Sequence, residues 1–345
     1  MKNTYICIII KSKIYNVMSE ETKKELGQYY TVKNPFNHKL FYEWLEYLTP
    51  DMIFIEPFAG ANNIVRLIQE IGVDNSWKCF DIEPSVNNVT PEYHIEKLDT
   101  IKNFPKGYNV AITNPPYLAK NSASRMGLPY PDTEYDDLYK LCLNIMLEHC
   151  DYVAAIIPES FVTSGLFINR LFGIISINEC IFDDTDCPVC LALFTPSKAV
   201  KYYVGKDYIG NITTLKKFNL EEYLTGEIKW VFNDPNGKIG VKCVDNQIGD
   251  NIYFHHGEDI PSEDIKVSSR SFTRIGGLSN EIDVDEFIRQ CNIILNEYRD
   301  KTHDVFLTSF KGLRKDGKYR RRIDFKTLRC IMNKSYMLLT NKESE

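Results

Sequence analysis

The stretch Phe54-Ile55-Glu56-Pro57-Phe58-Ala59-Gly60-Ala61-Asn62 decides how the rest of this 345-residue chain is read. A short apolar run, Met52–Glu56, is cut off by proline and small residues, and a helix-like stretch, Ile64–Ile71, follows. Strand, small-residue turn and helix form the repeating unit of parallel α/β sheets. Outward from it, Trp77–Asp81, Asn109–Thr113 and Tyr152–Pro158 are further brief apolar runs ended by polar residues or proline. Leu138–Cys150 has helical spacing. The alternation predicts an α/β fold with a mostly parallel, doubly wound sheet, and ligands bound beyond the carboxyl ends of the strands.

After Pro196 the texture changes. Lys201–Tyr208, Lys229–Phe232, Lys238–Val244 and Asn251–His255 are short, glycine-punctuated and strand-like. Asp283–Tyr298 reads as an amphipathic helix with Phe287, Ile288, Cys291, Ile294 and Leu295 on one face. A smaller mixed α+β C-terminal domain is expected. The predicted division is a leader over 1–18, a catalytic domain over 19–196 and a second domain over 197–345, with Met18 as an alternative start.

Composition narrows the function classes. With 41 Lys+Arg against 47 Asp+Glu the formal net charge is −6, which excludes a uniformly cationic, histone-like binder. No apolar run approaches the ~20 residues of a membrane span. Ten cysteines without a signal peptide read as unpaired thiols of a cytoplasmic protein rather than a disulfide framework. Cys187-Pro188-Val189-Cys190 and His255-His256 lack partner ligands at metal spacing, so no metal is expected.

Three strand ends carry the chemistry. The turn Glu56–Asn62 lets backbone approach a ligand. Asp81 ends the next strand about twenty residues on, where an acid suits the two hydroxyls of a ribose. Ala111-Ile112-Thr113-Asn114-Pro115-Pro116-Tyr117 is more specific. Two prolines directly after a buried strand cannot continue a ladder, because they lack N–H donors. The resulting rigid loop offers the Asn114 amide, the Pro115 carbonyl and the Tyr117 ring together. Two acceptors and an aromatic plane are what a planar amino group requires.

On these residues the chain resembles the S-adenosylmethionine-dependent DNA adenine-N6 methyltransferases, of Rossmann-like fold. Asn114, Pro115, Pro116 and Tyr117 match that family's catalytic tetrad, and Glu56-Pro57-Phe58-Ala59-Gly60 its cofactor loop. Gly27-Gln28-Tyr29-Tyr30-Thr31 resembles the upstream segment that touches the methionine moiety. The resemblance implies cofactor binding by Gln28, Tyr29, Tyr30, Thr31, Glu56, Pro57, Phe58, Ala59, Gly60, Asp81, Ile82, Asp99 and Asn114. Asp137-Leu138-Tyr139 resembles the next motif, on a helix lining the cofactor pocket. The likeness covers residues 25–195. Two positions depart from it: Asn62 stands where a second glycine is usual, and Cys142 where an aromatic residue is frequent. The motif order resembles the subgroup whose target-recognition domain follows the catalytic domain. The resemblance also implies that the target base is flipped out of duplex DNA, with Tyr117 on one face and Phe182 on the other.

The net charge hides a local excess. Residues 311–330 hold nine basic and two acidic side chains, a charge of +7, which leaves −13 on the remainder. Lys315, Lys318, Arg320, Arg321 and Arg322 are expected to contact phosphates. Arg270 and Arg274 are candidates for base-edge contact. Double-stranded DNA is the expected partner, with a companion restriction endonuclease of the same site, in the cytoplasm or, for a viral protein, that of its host. RNA guanine-N2 and protein glutamine methyltransferases share the tetrad, and a catalytically inactive DNA-binding relative is a third alternative.

Overall fold

The computed structural model describes residues 31–342 except 32, 183–186 and 317. The expected leader over 1–18 and the candidate residues Gln28, Tyr29 and Tyr30 lie outside the described residues. Two compact units emerge. One runs to Pro158 and resumes over Phe167–Ala199; the other takes Glu159–Leu166 and continues from Val200.

In the first unit, β1 (Phe54–Glu56), β2 (Trp77–Asp81), β3 (Ile95–Lys97), β4 (Val110–Thr113), β5 (Tyr152–Pro158), β6 (Leu171–Ser176) and β7 (Val189–Phe194) lie side by side in the order β3-β2-β1-β4-β5-β7-β6. The first five strands are parallel, and β7 runs antiparallel between β5 and β6. This is a Rossmann-like, mostly parallel doubly wound sheet. The strand order reverses between β1 and β4, so the crevice outside the sheet opens between the Glu56 and Thr113 strand ends. β1, β4, β6 and β7 are buried along their whole length, as strands covered on both faces must be. Around them lie α1 (Lys39–Leu45), α2 (Asn63–Gln69), α3 (Lys120–Met126) and α4 (Leu138–His149). Trp44 of α1 donates its indole N–H to the Phe194 carbonyl at 2.9 Å, which fixes that helix on β7.

The second unit is mixed α+β. Lys201–Tyr208, which reads as one strand, is a hairpin of β8 (Lys201–Val204) and β9 (Asp207–Asn211), turned at Gly205 with φ of 55°. β10 (Val231–Phe232), β11 (Ile239–Lys242), β12 (Tyr253–His256) and β13 (Phe272–Gly276) form an antiparallel sheet in the order β10-β13-β11-β12. The long helix α5 (Val284–Thr302) buries Phe287, Ile288, Cys291, Ile294 and Leu295, with Asp283 capping its N-terminus through the Glu286 N–H. After the hairpin of β14 (Thr308–Leu313) and β15 (Tyr319–Arg322) comes α6 (Phe325–Lys342), whose Leu328, Ile331 and Met332 join the same core. That helix and hairpin occupy the basic run, where closely spaced charges mask the apolar period. The nine described cysteines are free thiols. No helix among the described residues is long and apolar enough to cross a membrane.

Candidate active site

Adjacent strand ends of the first unit converge on a cavity of about 550 Å³. Thr31, Asn114 and Pro116 line it together with Phe58, Ala59 and Gly60, with Asp81 and Ile82, and with Asp99. The size suits a cofactor or drug-sized ligand.

The β1 turn is locked from both sides. Ala59 donates its N–H to the Phe80 carbonyl at 2.8 Å, and Gly60 donates to Asp81 Oδ2 at 2.8 Å. Gly60 sits at φ of 52° and Asn62 at φ of 63°, both left-handed. Asn62 thus adopts the conformation in which glycine is at home, which asparagine tolerates better than most residues. Its buried side chain donates to Asn88 Oδ1 and to the Tyr93 carbonyl, both at 3.1 Å. The departure from a second glycine keeps the turn and ties it to the segment after β2.

Glu56 is fully buried beneath this turn. Its Oε1 accepts from the Phe58 N–H at 3.0 Å and from the Thr113 hydroxyl. Burial pushes its carboxyl up to about 8, against the opposing pull of those hydrogen bonds. Glu56 therefore braces β1 against β4 at the crevice, and it does not line the cavity. Pro57 likewise acts through its backbone, its carbonyl accepting from the Thr100 hydroxyl at 2.8 Å.

Asp81 lines the cavity while accepting from two backbone donors, Gly60 on Oδ2 and Glu83 on Oδ1 at 2.8 Å. Asp99 follows β3 and pairs with Lys102 at 2.9 Å. Burial raises the Asp137 carboxyl to about 6, and Leu138 lines the cavity. Cys142 is fully buried on α4 and contributes no wall.

The tetrad stands at the end of β4. Asn114 is half-buried, and its amide Nδ2 donates to the Thr31 hydroxyl at 3.3 Å. Among the described residues the Pro115 carbonyl accepts no hydrogen bond. The Tyr117 hydroxyl lies 2.5 Å from Asn114 Oδ1 and 2.7 Å from the Ile156 carbonyl, and its one proton serves one acceptor at a time. Tyr117 is buried and meets Tyr139 and Phe182 edge-on, at 83° and 71°. Phe182 is buried too, in an isolated bridge to Thr31. In this structure Tyr117 and Phe182 therefore do not present a pair of parallel faces.

The basic residues of the second unit fare differently. Arg321 is turned inward, its guanidinium on the buried Glu159 carboxylate at 3.1 and 3.2 Å. Arg320 donates to the Asp245 carbonyl at 2.8 Å and stacks on Phe310. Arg274 lies on the inner strand β13 and donates to the Gly237 carbonyl and to Ser262. These three are drawn away from the expected DNA contacts, because carbonyls and an acid within their own unit hold their donors. Arg322 is half-buried; Arg270, Lys315 and Lys318 are exposed. The carboxylates of Asp245, Asp250 and Asp304 approach closely enough to suggest a metal, but Arg299 and Arg314 lie among them and neutralise them.

The sequence reading missed the wall formed by Leu128, Pro129, Tyr130 and Pro131. A tyrosine between two prolines, shortly after the tetrad, was the available signal.

No family model matches the chain, and no curated protein does. Among solved structures it is similar to a putative class I S-adenosylmethionine-dependent methyltransferase from Listeria monocytogenes, with 13% identity over 48% of this chain and 59% of that one, at a TM-score of 0.35. It is similar to a modification subunit of a putative type I restriction enzyme from Vibrio vulnificus, with 15% identity over 57% and 51%, at 0.38. A putative RNA methyltransferase from Pyrococcus horikoshii aligns with 14% identity over 51% of this chain and 91% of that one, at 0.37. The chain spans between half and three fifths of the first two of these structures.

Proposed function

We infer that this chain is an S-adenosylmethionine-dependent methyltransferase acting on the N6 amino group of adenine in duplex DNA. The observation that carries the reading is the meeting of Asn114, Gly60, Asp81 and Asp99 around one cavity. They stand at or just beyond the ends of β4, β1, β2 and β3, which are neighbours in the sheet. With strands about 4.8 Å apart, the four ends span roughly 14 Å, a span suited to one extended ligand. The residues fit an adenosyl group: Asp81 for ribose hydroxyls, Asp99 for a ring amino group, Phe58 and Ile82 for an apolar ring. When bound, that cofactor supplies a methyl group on a positively charged sulfur, which departs as a neutral thioether.

The chain's own residues act on the other reactant. An adenine amino nitrogen is a weak nucleophile because its lone pair is delocalised into the ring. Asn114 Oδ1 and the Pro115 carbonyl, accepting its two N–H bonds, favour a pyramidal nitrogen whose lone pair points at the methyl carbon. The incoming amino group takes the place of the Tyr117 hydroxyl, which lies 2.5 Å from Asn114 Oδ1, so the Tyr117 side chain shifts as the base enters. Positioning and fixed dipoles then serve in-line transfer, and the methylated nitrogen loses one proton to water. The base reaches the site by leaving the duplex stack, which costs a few kcal/mol. In the second unit, Arg270, Lys315, Lys318 and Arg322 are the cations we assign to DNA. The same reading places the enzyme in a restriction–modification function in the cytoplasm, beside an endonuclease of the same site.

The test is to incubate DNA with the protein and labelled cofactor, digest it to nucleosides and identify the product. N6-methyladenine is expected; label appearing only in RNA or in protein glutamine would replace the substrate. Asn114→Ala should lower the rate roughly 10²–10³-fold, the scale of losing one positioned transition-state contact, while cofactor binding persists. A near wild-type rate would overturn the assignment.

A further inference from the structure

The excursion between β4 and α4 is closed on itself. Ala119 and Asp137 form an antiparallel bridge at its base, and Lys120 donates its N–H to the Asp136 carbonyl at 2.8 Å. The loop between them places Leu128, Pro129, Tyr130 and Pro131 against the cavity. Prolines on both sides restrict the backbone at Tyr130. Its hydroxyl donates to the Tyr135 carbonyl at 3.3 Å within the same excursion. The Lys120 ammonium lies 5.9 Å from the ring centroid. A half-buried aromatic ring tethered at its tip is thus part of the cavity wall.

The excursion returns at Asp137 to the start of α4, and Leu138 there lines the same cavity. Tyr130 shares that cavity of about 550 Å³ with Asp99 and with Ile82, which is 44% exposed. A carboxylate acceptor, an aliphatic side chain and an aromatic ring together suit a planar, amino-bearing heterocycle.

We propose that Tyr130 is the stacking residue for the adenine ring of the cofactor, presented by the 119–137 excursion rather than by a strand end. The inference rests on the methyltransferase reading and adds a residue to it. Titrate the full chain calorimetrically with S-adenosylhomocysteine and, separately, with adenosine, which carries the ring without the amino-acid arm. Tyr130→Ala should weaken both by about tenfold or more, the scale of one lost base–aromatic stack. Tyr130→Phe, which keeps the ring and loses the bond to Tyr135, should bind within about twofold of the unaltered protein. A second readout guards against misfolding of the alanine variant: the unaltered protein and Tyr130→Phe should quench the fluorescence of 2-aminopurine riboside, and Tyr130→Leu should not. Unchanged adenosine affinity in Tyr130→Ala, or a Tyr130→Phe loss as large as that of alanine, overturns the proposal alone. Failure of the unaltered protein to bind either compound overturns the methyltransferase reading along with it.

Discussion

The strand-end loops of the first unit and the basic run of the second are placed by different physics. In the first unit, the described residues Thr31, Gly60, Asp81, Asp99 and Asn114 meet around one cavity although they are scattered over more than eighty positions. In the second unit, Lys315, Arg320 and Arg321 are close in sequence, yet only Lys315 faces solvent. A strand-end turn is specified locally by small residues and proline, and the parallel sheet then aligns every such turn at one edge. A guanidinium has five donors and no local instruction about where to spend them. Its partner is whichever carboxylate or carbonyl the tertiary fold brings near.

The largest expected effect on stability tests the second half of that contrast. Arg321→Ala removes the guanidinium paired with the buried Glu159, and should cost about 3–5 kcal/mol, read as a lower urea midpoint. If stability is unchanged, Arg321 is not a structural residue and the contrast fails.

A comparable effect lies under the active-site turn. Glu56 titrates near 8 when folded and near 4.5 when unfolded. Between these values the folded chain holds a proton that the unfolded chain has lost, so stability falls as pH rises through the window. Burial is the cause, and the loss amounts to roughly 4 kcal/mol between pH 4.5 and 8. Glu56→Gln should flatten that part of the pH–stability curve, as followed by thermal melts at each pH. A curve that keeps its slope would mean other groups set it.

Asn62 provides a smaller effect. Asn62→Ala puts a less tolerant residue at φ of 63° and removes two hydrogen bonds, for a cost of about 2 kcal/mol. Asn62→Gly relieves the backbone and loses only the bonds, so it should melt between the alanine variant and the parent. The reverse order would show that backbone freedom does not matter at this turn.

The smallest effect concerns the exposed cations. Replacing Lys315 and Lys318 by alanine should leave the melting temperature unaltered, weaken DNA binding several-fold and reduce the salt slope by about one for each lysine. An unchanged slope would remove the turn between β14 and β15 from the DNA interface.

Much of the first unit was legible in the sequence. Trp77–Asp81 and Tyr152–Pro158 are strands with the expected ends, and Leu138 begins its helix where expected. Buried parallel strands announce themselves as apolar runs, whatever surrounds them. β6 was missed because Leu171–Ser176 is apolar but carries no chemistry and no proline boundary. α6 was missed because Lys326, Arg329 and Lys334 interrupt its apolar face. Around Arg270 and Arg274 the sequence offers only candidate base-edge contacts and no strand, whereas Phe272–Gly276 pairs with both β10 and β11.

By itself, the sequence determined the succession of strands, turns and helices and the residue types at each strand end, since these depend on backbone freedom and apolar period over a few positions. Only the tertiary structure decided three other things: which of the arginines remained at the surface, that Tyr117 and Phe182 meet edge-on rather than face to face, and that a loop with Tyr130 completes the cavity wall. Each of these depends on contacts between segments far apart in the chain, where packing and the pairing of buried charge select among partners that the local sequence leaves equivalent.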